Sequence, residues 1–142
     1  MTSIKAIAPT RTVDSEFFWD SCRDGRLMLP RCMDCQRLFY YPRNACPHCG
    51  SQKLGWHEAS GKGTVHSFTH VHVSFYGPEW EQQLPYTPIL VDLAEGPRML
   101  SRLVGDDRGE VRIGEHVEVV FVPADKDRIP YFRRSQLTHG TV

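Results

Sequence analysis

The chain has 142 residues, with 17 lysines and arginines against 17 aspartates and glutamates, so its formal net charge is zero with histidines neutral. That balance argues against a general nucleic-acid binder, whose affinity comes largely from neutralising phosphates. Hydrophobic residues make up 40%, enough to bury a core, and no run approaches the roughly 18 apolar residues of a membrane span. The first twelve residues lack the apolar stretch of an export signal, so the cytoplasm, where thiols stay reduced, is the expected location.

Residues 1–13 read as an extended arm around Pro9, flexible unless a partner holds it. Asp14 or Ser15 can cap a helix that runs through Phe17, Phe18, Trp19 and Cys22 and ends near Gly25. Three adjacent aromatic residues cannot share one stripe, so at least one ring must face away from the helix's own domain or cover a second side of it. Cys22 falls toward the end of this helix, where the dipole disfavours a thiolate, and reads as a buried packing thiol.

A strand over residues 26–30 leads into Cys32-x2-Cys35, and Cys46-x2-Cys49 follows ten residues later. Each C-x2-C pair can place two thiolates on one tight turn, and two turns facing each other make a tetrahedral S4 cage. Zn²⁺ suits such a cage, and four cysteines leave no open position for water, so the metal is expected to be structural; iron fits the same sulfurs. Pro47 sets the second turn and Gly50 supplies a left-handed position after the last ligand. Residues 39–42 are expected as the ribbon's return strand and 53–58 as its last strand. His48 is read as a surface turn residue. Arg31, Arg37, Arg43 and Lys53 surround the cage, either offsetting its negative charge or meeting phosphates of a ligand or an acidic partner.

Ser60-Gly61-Lys62-Gly63 is expected as a flexible joint between the ribbon unit, residues 14–59, and a β unit, residues 60–134. In the second unit, residues 64–75 read as one long strand with Val71, Val73 and Phe75 on one face and His70, His72 and Ser74 on the other. His66, His70 and His72 share parity, but no acidic or cysteine partner lies at a telling spacing, so a second metal is not expected. Residues 77–88 read as a loop, 87–94 and 99–104 as strands, 106–109 as a turn and 116–122 as a final strand. The fold class is therefore mainly β: an N-terminal helix and rubredoxin-like zinc ribbon, then a five-stranded OB barrel whose first strand bends to serve both halves. Residues 135–142 are left as a tail.

This order of landmarks resembles the rubredoxin-like zinc-ribbon plus OB-fold proteins encoded beside thiolase-like and acyl-CoA-handling enzymes. The matching residues are Phe18-Trp19, Gly25-Arg26-Leu27, the two cysteine knuckles with Pro30-Arg31 and Pro42-Arg43, Trp56, and the joint with Thr64-Val65. In the barrel they are Pro85-Tyr86, Leu90-Val91-Asp92-Leu93, Gly96-Pro97-Arg98, Ile113-Gly114 and Pro130-Tyr131-Phe132-Arg133. The resemblance implies a small accessory subunit in a hetero-oligomer with a thiolase-like catalytic subunit that makes or cleaves carbon–carbon bonds on CoA thioesters. The nucleophile and general bases would belong to the partner, because this chain shows no complete catalytic set. The dense aromatic group Phe17, Phe18, Trp19, Tyr40 and Tyr41, with Arg43, is the expected partner or acyl-CoA interface. Two rival readings are an OB-fold module for single-stranded nucleic acid, stacking bases on exposed rings, and a stand-alone acyl-CoA-binding protein.

Overall fold

A computed structural model describes residues 6–135. In chain order it contains α1 (Glu16–Arg23), β1 (Met28–Cys32), β2 (Leu54–Glu58), β3 (Lys62–Phe68), α2 (Pro78–Glu81), β4 (Thr87–Leu93), β5 (Arg98–Leu103), a 3₁₀ turn (Arg108–Glu110), β6 (His116–Ala124) and β7 (Asp127–Arg134). No helix of the described residues is long and apolar enough to cross a membrane. Residues 1–5 of the arm expected over 1–13 and residues 136–142 of the tail expected over 135–142 lie outside the described residues.

β1 and β2 form a two-stranded antiparallel sheet, with Met28 opposite Glu58 and Cys32 opposite Leu54. The other five strands close into a barrel in the order β3-β4-β5-β7-β6, the OB architecture expected from the strand pattern. β4 shows why the pattern was readable: Thr87, Ile89, Val91 and Leu93 are all buried and alternate with half-buried neighbours, the period-2 signature of a strand with one face on a core. β3 pairs with β4 through Gly63–Phe68 and with β6 through Lys62–Thr64, and its register shifts between Val65 and Ser67. The extra residue there bends the strand from one half of the barrel to the other.

Four expectations need correction. The first barrel strand stops at Phe68; beyond it only an isolated Val71–Tyr86 bridge forms, and Val73 and Phe75 are 64% and 90% exposed. With nothing to cover its apolar face, the alternation of residues 70–75 does not make a strand. The loop over residues 77–88 contains the short helix α2, begun by Pro78, and its last two residues already belong to β4. Residues 39–42 do not form a return strand, since only Leu38 bridges to Arg31. Tyr40 and Tyr41 both turn toward Phe18, at ring-centroid distances of 5.7 and 5.9 Å, and successive residues of a strand cannot face the same way. Nor is β6 the last strand. It turns through Asp125, which adopts φ 57°, into β7, which pairs with it from Ala124–Asp127 to Val117–Arg134.

The two units share one core. Phe18, Trp19 and Cys22 of α1 and Leu27 and Leu29 beside the ribbon pack with Val65, Ile89, Val91, Leu103 and Phe132 of the barrel. The joint is stitched into the barrel: Ser60 N–H donates to Glu95 at 2.8 Å, and Val119 N–H donates to the Gly61 carbonyl at 2.7 Å. Residues 6–12 also lie against the barrel. Ala6 is buried with Ala124 and Tyr131, its N–H donating to the Pro123 carbonyl at 3.0 Å. Arg11 reaches Asp127 at 2.5 Å and Asp20 at 2.9 Å.

Candidate metal centre

The two knuckles are built alike. In the first, Gln36 N–H donates to the Cys32 carbonyl at 2.8 Å; in the second, Gly50 N–H donates to the Cys46 carbonyl at 2.8 Å. Gln36 and Gly50 both take left-handed backbone, φ 66° and 83°, which turns each chain away after its second cysteine. Glycine does this without a Cβ clash, whereas Gln36 is held by its side chain, which bonds the Met33 carbonyl at 2.8 Å and Arg31 at 2.9 Å.

The four Sγ atoms of Cys32, Cys35, Cys46 and Cys49 lie within 4.8 Å of one another. Two pairs meet across the knuckles, Cys32–Cys49 at 3.5 Å and Cys35–Cys46 at 3.7 Å. A tetrahedral ZnS4 site with bonds of about 2.3 Å needs sulfurs about 3.8 Å apart, so the donor set fits zinc. Backbone N–H groups of Cys35 and His48 point at the Cys32 and Cys46 sulfurs, at 3.4 and 3.3 Å, as thiolate ligands require. The Cys35 amide is the main reason the Cys32 thiol is pulled down to about 6. All four positions of the metal are taken by thiolates, so bound zinc would staple the knuckles and supply no site for water or substrate. Cys32 and Cys46 are buried with Phe39 in a small cluster of their own, while Cys49 is exposed.

Asp34 and Ser51 enter the sequence reading only as parts of the knuckle motifs, with no role of their own, yet they tie knuckle to knuckle. Ser51 Oγ donates to Asp34 Oδ2 at 2.5 Å and accepts from Lys53 N–H at 3.0 Å. Nothing in a serine after C-x2-C-G distinguishes this role from an ordinary turn residue.

The expected interface residues separate. Phe18 is fully buried and Trp19 is 6% exposed, so both belong to the core and offer no surface. Tyr40 and Tyr41 are half-buried against that core, and Trp19 Nε1–H donates to the Tyr41 hydroxyl at 3.0 Å. Phe17 is 44% exposed, its ring centroid 4.8 Å from that of Trp56. Arg43 is exposed. The histidines also disperse: His66 stands 3.4 Å from Asp92, His70 bonds Thr87 Oγ1 at 2.8 Å, and His72 is exposed. The one group of clustered metal-ligand side chains among the described residues is the cysteine quartet. Cys22 is fully buried, and burial pushes its thiol up to about 12.

A four-cysteine ribbon sharing its core with a closed five-stranded barrel defines a two-unit zinc-ribbon/OB-fold protein. Two family models match in succession: the ChsH2 rubredoxin-like zinc ribbon domain over residues 19–55 and the ChsH2 C-terminal OB-fold domain over residues 56–122. The chain belongs to the ChsH2, or DUF35, family. It is 34% identical over 132 residues to a probable enoyl-CoA hydratase alpha subunit of Thermomonospora curvata, covering 91% of this chain and 40% of that protein. It is 35% identical over 92 residues to a DUF35 domain-containing scaffold protein of Methanothermobacter thermautotrophicus, covering 64% of this chain and 68% of that protein. Among solved structures it resembles a chain of the Ltp2-ChsH2(DUF35) aldolase with a TM-score of 0.79 and 34% identity, covering 89% of this chain and 98% of that one. The chain thus spans less than half of the T. curvata protein but nearly all of the ChsH2(DUF35) chain in the aldolase.

Proposed function

We propose that this protein is a non-catalytic accessory subunit that docks on a thiolase-like catalytic subunit in the cytoplasm, the complex making or cleaving carbon–carbon bonds on acyl-CoA substrates. The observation that carries this reading is its likeness, over 89% of this chain and 98% of that one, to a chain of the Ltp2-ChsH2(DUF35) aldolase. The chemistry of the chain supports it. The metal site is closed by four thiolates, and Cys22 is sealed in the core with its thiol pushed far above neutral. Among the described residues no histidine ring is hydrogen-bonded to a cysteine or serine side chain. A serine or cysteine nucleophile activated by histidine needs such a pair. In this reading the partner supplies the nucleophile and base, while this chain supplies shape. Its docking surface in this reading includes the exposed Phe17 and Arg43 and the half-buried Tyr40 and Tyr41.

The test is an affinity capture of tagged, zinc-loaded protein from native lysate, with mass spectrometry of whatever is retained in constant ratio. A thiolase-like protein in fixed stoichiometry, lost in a Phe17→Ala/Arg43→Glu variant that keeps its unfolding temperature, is the expected result. Recovery of no stoichiometric partner sinks the reading.

A further inference from the structure

The outer face of β4 and β5 carries an arginine in an unusual setting. Met99 and Leu103 of β5 point into the core, so Arg102, at the alternate position, points outward, opposite Pro88 of β4. It is nonetheless only 8% exposed, because residues of the β3–β4 loop and of β7 close over it. Its guanidinium carbon lies 4.4 Å from the centroid of Tyr86, 5.1 Å from Tyr131 and 5.8 Å from Trp80. Nη1 donates to Gln83 at 2.7 Å. No carboxylate of the described residues comes within ion-pairing distance of it. Burial lowers the pKa of Arg102, but a guanidinium stays charged at any ordinary pH. The fold has therefore stripped water from a cation and left it with rings and one neutral amide. Cation–ring contacts offset part of that cost; an anion would offset more.

There is room for one. Arg102 lines a cleft of about 550 Å³ together with Tyr86, Gln83, Leu84 and Arg108, within the range of small-molecule sites. Arg108 is aimed by two backbone carbonyls, donating to Pro85 at 3.0 Å and Gly105 at 2.9 Å. Glu79 and Asp125 reach the same cleft from exposed positions, where water screens them; the buried charge is the arginine. From Tyr86 a ladder of rings leads outward, with Trp80 at 5.7 Å and Tyr76 a further 6.3 Å away. Tyr76 is 80% exposed and Phe75 beside it is 90% exposed, so flat apolar surface is offered to solvent next to the cleft. The outer face of the second and third strands and the loop between the first two are where OB barrels generally take ligands.

We propose that this cleft binds a phosphorylated ligand of the adenine-nucleotide class, its phosphate on Arg102 and Arg108 and its flat ring along the Tyr86–Trp80–Tyr76 side. An acyl-CoA carries such a group in its adenosine diphosphate end. The inference thus deepens the acyl-CoA reading above and rests on it only for the identity of the natural ligand. The accessory chain would then hold the handle of the thioester while the partner works on the acyl end.

Calorimetric titration of the full zinc-loaded chain with ADP, inorganic phosphate and adenosine tests it. ADP is expected to bind at least tenfold more tightly than either fragment, and CoA to compete with it. Arg108→Gln, which touches only exposed carbonyls, and Arg102→Lys, which keeps the charge but loses the planar fork, should each weaken ADP tenfold or more. Both variants should keep the cooperative unfolding of the parent. Absence of ADP binding, or affinity unchanged in Arg108→Gln, overturns the proposal, as does single-stranded DNA displacing ADP at much lower concentration. None of these outcomes bears on whether a thiolase-like partner is captured. Conversely, ADP binding through the two arginines stands even when capture recovers nothing.

Discussion

Trp19 on α1 donates its indole N–H to the Tyr41 hydroxyl across 3.0 Å, and this bond joins the helix that packs on the barrel to the loop strung between the two zinc knuckles. Tyr41 lies between Phe39, buried beside the cysteine sulfurs, and Pro42, also buried. The order of the metal site is thereby passed to the core through one short stretch of chain. Bound zinc is worth on the order of 10 kcal/mol of folding free energy in small zinc modules. Here only the ribbon depends on the metal directly; the barrel shares the core with α1 and β1, but its five strands are also closed on one another by their own ladders.

Metal analysis should find one zinc per chain, and Cys32→Ser/Cys46→Ser should abolish it. Chelation should lower the unfolding temperature and redden the emission of Trp56, which stands on the ribbon strand β2, as its packing loosens. The barrel should keep its β-sheet circular dichroism until a second, higher transition. A single transition unaffected by chelator would mean that the metal does not hold the ribbon.

Gly63 is where β3 is paired on both sides, opposite Leu93 of β4 and Val117 of β6. A Cβ there would stand 2.6 Å from the Asp92 carbonyl oxygen and 2.6 Å from a Val91 methyl, inside van der Waals contact. The carbonyl belongs to a paired strand and cannot retreat. Gly63→Ala is therefore expected to cost about 1–3 kcal/mol, as other overpacked sites do, read as a lower denaturant midpoint with unchanged slope. An effect below about 0.5 kcal/mol, the usual range of a surface change, would contradict the close approach.

The parts of this fold that were legible in the sequence are those where chemistry or burial acts at fixed short spacing. The cysteine quartet is legible because a tetrahedral cage forces two tight turns, and β4 because one face of it is buried along its whole length. β7 was hidden because Pro130 lies in its middle and charged residues flank it, although Tyr131 and Phe132 anchor it in two cores. Proline there suppresses the usual strand signal. Residues 70–75 misled in the opposite way, alternating cleanly with nothing to pack on. Phe18 and Trp19 read equally well as surface or core, and only the barrel, far away in sequence, decides between them. Arg102 carried no signal at all, since an arginine at an outward strand position is the ordinary surface pattern.

Asp127 opens β7 and accepts from Arg11 at 2.5 Å and from Arg23 at 3.1 Å. The Arg11 hydrogen bond is the main reason its carboxyl is held below the usual carboxylate range. With the folded pKa depressed, this cluster stabilises the protein above the unfolded carboxyl's pKa, and the contribution fades as pH falls through the lower folded value. Asp127→Asn should cost about 1–3 kcal/mol at pH 7, the scale for hydrogen bonds to charged groups. The difference from the parent should begin to shrink as pH falls below the ordinary carboxyl value of about 4 and go on shrinking toward the lower folded value. Unfolding curves of the pair at pH 7, 5 and 3 give the comparison. A gap that stays constant with pH would show that packing, and not charge, is what the aspartate provides.

The five cysteines should react in two separate classes. Cys22 is fully buried, and with its thiol pushed up to about 12 it carries almost no thiolate at pH 8.5; the thiolate is the form that alkylates. The other four share one cage in which Cys49 is exposed, Cys32 and Cys46 stay buried until metal loss loosens the knuckles, and the Cys32 thiol is pulled down to about 6. Iodoacetamide at pH 8.5 should therefore add nothing to the zinc-loaded chain, four groups after chelation and the fifth only in denaturant, counted by intact mass. Peptide mapping should place the last group on Cys22. Labelling of Cys22 alongside the ribbon cysteines on chelation alone would show that the shared core opens when the metal leaves, and that the helix is held by the ribbon more than by the barrel.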